Sequence, residues 1–449
     1  MSNLSKYLFF YIFLGATGAS AQTSGGTQYA MFQTSGTHCG VYAASKYTSF
    51  GSVKWKFKSN GKIYSSPAVI NGVAYVGSED GYLYAIDIKT GKSAWKFKTD
   101  GAVDSSPAAY ENVIYFGSFD GYVYAVNALS GKLIWKFKTG GEKLIGHKGL
   151  WGMTPKDMYM EDQYDFYLSS PVLNLNDHDL TLYFGSSDGN LYALDAYTGK
   201  KKWAFRANGS IHTSPALYNG TIYFGSWDTY LYALDAGSGQ LKWKFKTLDQ
   251  PVYHQLEGIQ ASPTCYNGAI YFGCRDGHFY SLNANTGKLL WTIGMNGSWV
   301  LTTAATRDGM IYISTSDTYL FMALNAKTGA EKYRFKANGY IYSSPAISGN
   351  TAYFGDFTGK LFALNLTTGK SSGTFATSGR IENAKKFLNK DQLDFIYLIK
   401  SKDTAAYATS VAVMSLLYKL GPIVSSPAIS NGVIYFGSAD GCLYALNLK

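Results

Sequence analysis

The sequence predicts an all-β fold: an eight-bladed β-propeller of four-stranded antiparallel blades, its ring closed by an N-terminal strand. Three observations predict it. A block of about forty residues recurs eight times, each block holds four short runs of strand formers, and the strand missing from the last block stands before the first.

Residues 105–140 show the block, SSPAAYENVIYFGSFDGYVYAVNALSGKLIWKFKTG. Glu111-Asn112, Asp120-Gly121 and Ser130-Gly131 are turn signals between four strand runs, and YVYAV alternates with the period of two that a strand requires. The opening SSP or a variant recurs at Ser65, Ser105, Ser169, Thr213, Ala261, Leu301, Ser343 and Ser425. The 38 Tyr and 49 Gly against 10 Pro suit many short strands joined by tight turns. The eighth block ends at Lys449 after its third strand, and the WKFK strand it lacks sits at 53–58. A ring closed this way leaves no open blade, whereas a linear stack leaves an unpaired edge at each end.

Two recurrent positions are structural. After the second strand stands Asp in seven units (Asp80, Asp120, Asp188, Asp228, Asp276, Asp317, Asp440) and Thr358 in the other, usually before Gly. That is turn chemistry, not a ring of catalytic carboxylates. The GKS triplets at 91–93 and 369–371 have Ile86 and Leu364 where a phosphate loop needs its first Gly, so no nucleotide site of that type is expected. Trp55, Trp95, Trp135, Trp203, Trp243 and Trp291 share one place in the repeat, with Tyr333 and Gly373 at the equivalents. Rings there are expected to dock between blades, each burial worth about 3 kcal/mol.

YALDAYTGKKKW at 192–203 and YAVNALSGKLIW at 124–135 resemble the tryptophan-docking motif of the pyrroloquinoline-quinone (PQQ) repeat propellers, and MFQTSGTHCGVY at 31–42 is similar to the lead-in of bacterial members. The resemblance covers nearly the whole mature chain and implies one of two roles. The BamB-like branch, a barrel-assembly propeller, is non-catalytic; the quinoprotein dehydrogenases use PQQ with calcium, an adjacent Cys-Cys disulfide, a Glu/Asn/Asp calcium set and a catalytic Asp. Cys39, Cys265, Cys274 and Cys442 include no adjacent pair, and neither a calcium set nor a catalytic residue is assignable. The expectation is a non-catalytic binding scaffold with no cofactor and no metal, the PQQ-dependent redox protein being the alternative.

Residues 1–21 read as a signal peptide, with Lys6, an apolar run from Tyr7 to Leu14 and Ala19-Ser20-Ala21 before cleavage at Gln22. They contain no cysteine for a lipid anchor. Residues 22–52 are a lead-in and 53–449 the propeller. The expected product is exported, periplasmic or extracellular, soluble and monomeric, with four buried single thiols. The net charge of +10 is spread over repeated lysines, without the concentrated patch that nucleic-acid binding needs.

Strand alternation puts the second-to-third turns and the fourth-to-first connections on one face. Insertions at 141–168, 248–260 and 377–424 all fall there, as do the three tryptophans outside the repeat position. The expected ligand- or partner-binding face therefore holds Trp151, Asp165, His212, Trp227, His254, Gln260, Arg275 and Trp299, its occupant a protein or a small ligand. The competing reading is that these rings only plug the insertions onto the disc. His212 precedes its SP strand and points to the channel, as ligand contact or satisfied polar plug. The last insertion reads as two helices, one carrying Ile381, Ala384, Phe387 and Leu388, the other capped by Asp403-Thr404 and carrying Val411, Met414, Leu417 and Tyr418.

Overall fold

The computed structural model describes residues 22–24, 27–175, 179–248, 257–399 and 402–449. The expected leader and His254 lie outside the described residues. Eight four-stranded antiparallel blades form a ring, and two short lead-in strands extend the sheet of blade 2 to six. Blades 1 to 7 occupy 68–98, 108–138, 172–206, 216–246, 264–294, 305–336 and 346–376; blade 8 joins 428–448 to the closing strand Phe50–Lys58. That strand sets Trp55 opposite Ala445 and Phe57 opposite Leu443, the register in which Trp135 faces Ala125 and Phe137 faces Val123 within blade 2.

Burial follows position in the blade. The second strand of blade 4, Thr221–Gly225, is buried throughout because sheets pack on both of its faces. The outer strand Leu133–Lys138 alternates, with Trp135 inward and Lys136 and Lys138 in solvent. Much of the positive charge therefore lies around the rim.

Each docking ring bridges to the next blade. Trp135 Nε1 donates to Ala196 O at 2.9 Å, Trp95 to Ala128 O at 2.9 Å and Trp243 to Ala284 O at 3.0 Å, and Tyr333 keeps the bond with its hydroxyl, to Leu366 O at 3.0 Å. Beneath each ring lies the turn glycine of the neighbour. Gly199 has φ +71° and a Cβ there would lie 2.7 Å from Trp135, so both backbone and packing demand glycine. The departure at Gly373 has a physical cause. Blade 8 ends at its third strand and offers no such turn; a Cβ on Gly373 would lie 2.1 Å from Ser49 Oγ, on the segment entering the closing strand.

Six of the seven turn aspartates act as expected; in blade 6 Asp317 accepts the Ser316 hydroxyl instead, and Thr315 Oγ1 takes the Leu320 N–H at 2.9 Å. Asp120 Oδ1 accepts Tyr122 N–H at 3.1 Å, and its Oδ2 accepts the Tyr124 hydroxyl at 2.7 Å and, from the preceding connection, Asp100 N–H at 3.0 Å. In blade 7 the job passes to Asp356, which accepts from Thr358 N at 3.0 Å and Lys360 N at 3.1 Å.

The lead-in lines the opposite face of the channel. Tyr29 and Ala30 pair with Tyr110 and Ala109 of blade 2. Leu217, Cys265, Thr306 and Ile347, the middle residues of the inner strands of blades 4 to 7, then donate their N–H groups to Gly36, Thr37, Cys39 and Gly40 carbonyls at 2.7, 3.0, 2.9 and 2.8 Å. A second girdle comes from the SSP motif, whose second hydroxyl accepts the equivalent N–H of the preceding blade: Ser66 N to Ser106 Oγ at 3.0 Å, and Ser426 N back to Ser66 Oγ at 2.9 Å.

Helices α1 (Ser378–Phe387), α2 (Phe395–Ile399) and α3 (Tyr407–Leu417) fill the last insertion, and none is long and apolar enough to cross a membrane. Two expectations are corrected. Ile381 is 73% exposed, because α1 buries Gly379, Arg380 and Phe387 instead and ends before Leu388. Asp403 does not cap α3: it accepts the Ala405 N–H at 2.9 Å, and Ala406 precedes the helix without a side-chain cap.

Trp135→Ala is expected to cost about 3–5 kcal/mol in chemical denaturation through the cavity left between blades. Gly373→Ala is expected to destabilise as well, although it adds one methyl on the surface of a strand. Deleting 53–58 should convert a monomer into aggregates on size exclusion; a truncated monomer melting like the full chain would contradict closure.

Candidate functional site on the insertion-bearing face

The first insertion folds a short hairpin, Gly146–Lys148 against Tyr159–Glu161, and then sends a strap, 162–167, over the channel mouth. Asp162 Oδ1 accepts Tyr164 N–H at 2.9 Å, an Asx turn that reverses the chain. The third insertion ties on: Tyr407 N–H reaches Thr154 O at 3.0 Å, and Gln163 Nε2 donates to the Tyr407 hydroxyl at 2.9 Å.

The disc holds the strap through Arg275, in the second-to-third turn of blade 5. Its guanidinium meets Asp162 Oδ2 at 2.5 Å, donates to Gln260 Oε1 at 2.7 and 2.9 Å, and lies 4.7 Å from the Trp227 ring and 4.3 Å from that of Trp299. Trp151 closes the cluster, 5.8 Å from Trp299. A planar cation between two π faces with a fork for a carboxylate is chemistry that arginine supplies and lysine does not. Burial works to raise Asp162 above the usual carboxylate range, with Arg275 opposing.

His212 forms the second anchor. Its Nδ1 lies 3.0 Å from Asp165 Oδ1 and its Nε2 2.7 Å from Ser187 Oγ. Ser187 Oγ also lies 3.1 Å from Lys143 O as a donor, an arrangement that suits an imidazolium donating through both ring nitrogens. Burial disfavours that charge, but the charge and hydrogen bond of Asp165, followed by Glu142, outweigh it, and His212 is raised above its ordinary value of 6.5. Gln260 Nε2 adds a bond to Asp165 Oδ1 at 3.2 Å.

Seven of the eight expected site residues thus come together; the eighth, His254, lies outside the described residues. Arg275, His212, Gln260 and Asp165 are buried, at most 4% exposed, and Trp151, Trp227 and Trp299 are half-buried. They anchor the strap, with the tryptophan rings reaching the surface. Sequence reasoning missed Asp162 as the partner of Arg275 and Ser187 as that of His212, since each partner arrives from a different blade or connection.

Below the strap the channel keeps a cavity of about 20 Å3 among Phe32, Tyr64, Asp104, His212, Gln260 and Leu301, room for about one water. A multi-ring quinone needs a site on the order of 300 Å3 or more, so the residues present do not fit PQQ in the channel. Among the described residues no group of three His, Cys, Asp or Glu is placed to hold a metal ion. All four cysteines are free, Cys39 half-buried and the others buried, and burial pushes the Cys442 thiol up to about 11.

A histidine raised above its unfolded value stabilises fully below about pH 6.5 and loses that contribution as pH rises through the folded value. Stability by urea denaturation is therefore expected to fall as pH rises above about 6.5, and His212→Gln to flatten that slope. An unchanged slope in the variant would contradict the imidazolium.

Comparison with known proteins agrees with this architecture. The family model described as outer membrane protein assembly factor BamB matches residues 34–144, 148–292 and 252–390. No curated protein matches the chain. Among solved structures, BamB from Moraxella catarrhalis is similar at 16% identity and TM-score 0.60, covering 88% of this chain and 99% of its own. A europium-containing methanol dehydrogenase gives 14% and 0.64, covering 93% and 97%. The quinohemoprotein alcohol dehydrogenase from Comamonas testosteroni gives 13% and 0.65, covering 93% and 80%. At such identities the structural likeness carries the fold alone, and it spans BamB and two dehydrogenases. The sequence match is broader in consequence: this chain belongs to the PQQ-repeat propeller family described as outer membrane protein assembly factor BamB.

Proposed function

We propose that this protein is an exported, non-catalytic propeller that serves as a binding or assembly scaffold at the cell envelope, acting through its insertion-bearing face. One observation carries the reading: the channel, where a propeller has room for a ligand along its axis, is filled by strap and lead-in, while the first and third insertions are built on one face. The family's description supplies the cellular setting, assembly of outer membrane proteins. Within this reading the exposed edges of Trp151, Trp227 and Trp299 and the paired insertions meet a protein partner, and the buried residues beneath keep that surface in shape.

The PQQ-dependent alternative is favoured only by the fold shared with two dehydrogenases. Titration with PQQ and calcium is expected to give no saturable binding and no dye reduction; reduction that needs both and disappears on chelation would establish the alternative. Fractionation of the host should find the protein outside the cytoplasm. Removing its gene should lower the amount of outer-membrane β-barrel proteins, with recovery on re-expression, and unchanged barrel levels would contradict the scaffold role.

A further inference from the structure

A pocket of about 590 Å3 opens beside the strap, where blades 1 and 2 meet the first and third insertions. Its charge is opposite to that of the molecule. The chain carries 40 Lys and Arg against 30 Asp and Glu, yet Glu79, Asp104, Glu161, Asp162 and Asp165 all line this pocket, with Lys62 as the one lining cation among the described residues.

Three of these acids already have cations: Asp162 has Arg275, Asp165 has His212, and Glu79 has Lys62 at 2.8 Å. Asp104 has none. Its Oδ1 is shut off from solvent without a hydrogen-bond partner, and the Tyr64 hydroxyl is likewise unbonded in a side chain 5% exposed. Tyr418 lies beside Tyr64, ring centroids 6.3 Å apart, with no bond of acceptable geometry between the two hydroxyls. A buried carboxylate oxygen and a buried hydroxyl left unpaired are costly, and an incoming donor removes that cost.

The walls suit the same chemistry. Tyr64, Phe166 and Tyr418 surround the acids, Tyr64 and Phe166 with ring centroids 5.3 Å apart. The protein's own ammonium already samples this environment: Lys62 Nζ lies 4.2 Å from the Tyr418 ring centroid and 5.4 Å from that of Tyr64. Aromatic faces and a carboxylate together stabilise an organic cation, by cation–π attraction and charge-assisted hydrogen bonds. An anion meets five carboxyl groups.

We propose that this pocket binds a small organic cation, an alkylammonium or guanidinium head that pairs with Asp104 against the faces of Tyr64 and Tyr418. The inference goes beyond the scaffold reading and does not rest on it, since a free ligand is measurable whether or not a protein docks on this face. The head group has two sources, a free polyamine or the side chain of a basic peptide, and the test separates them.

Calorimetric titration at low salt uses spermidine, the peptide acetyl-Ala-Lys-Ala-amide and, as a neutral control, pentane-1,5-diol. The expected result is saturable one-to-one binding of at least one cation and none of the diol. Spermidine alone identifies a free amine, the peptide alone a side chain. Because the protein as a whole repels cations, saturable binding reports a local site. Asp104→Asn keeps the shape of the side chain and removes the group that can ionise against a bound cation; it should weaken binding at least tenfold at an unchanged melting temperature. Lys62→Met removes the resident ammonium and should tighten binding severalfold, which keeps the test decisive if the first variant folds poorly. No saturable binding of either cation, or an affinity that neither variant alters, overturns the proposal.

Discussion

A four-stranded meander has two edges, and a ring of eight such sheets is sound only if those edges are satisfied; one N-terminal segment does much of that work. Residues 50–58 supply the outermost strand of blade 8. Residues 29–42 first run around the channel, giving their carbonyls to the inner strands of successive blades. The last strand is thereby tied to the first across the whole chain. Unpaired strand edges are the standing hazard of β proteins, and here the ends of the chain remove both at once.

Much of this was legible in the sequence because it repeats. Forty-residue periodicity, turn aspartates and docking tryptophans are local signals whose meaning does not depend on the neighbours. The orphan strand 53–58 was legible for the same reason, as a known piece in an unexpected place. Gly373 was visible as an exception without a cause. Its reason, the Ser49 side chain entering where a turn is missing, is a tertiary contact across more than three hundred residues. The lead-in was visible only as a resemblance: Gly36, Thr37, Cys39 and Gly40 act through backbone carbonyls, which leave little trace in side-chain identity.

The candidate site was half legible. Strand parity placed Trp151, Trp227, Trp299, Gln260 and Arg275 on one face, where the structure brings them together. What parity does not supply is depth. Nothing in the sequence distinguishes an arginine that greets a partner from one held between two indoles on Asp162, because the carboxylate comes from an irregular insertion with no period to read. The same holds for the acidic pocket, whose members come from two blades, two connections and a strap. Buried charge of this kind is sensitive to shape: each ion is tolerable only while its partner stays in place. The strap is therefore a fixed floor, on which the surface and the pocket both depend.

The central claim, that the N-terminal segment completes the ring from within, is tested most directly by amide hydrogen exchange on the intact protein. Four amides carry the answer, those of Leu217, Cys265, Thr306 and Ile347, the inner-strand groups that donate to lead-in carbonyls. The account predicts protection comparable to that of mid-blade amides such as Tyr223 and Tyr353. Exchange at the rate of open strand edges would contradict it, leaving the ring without its inner seal.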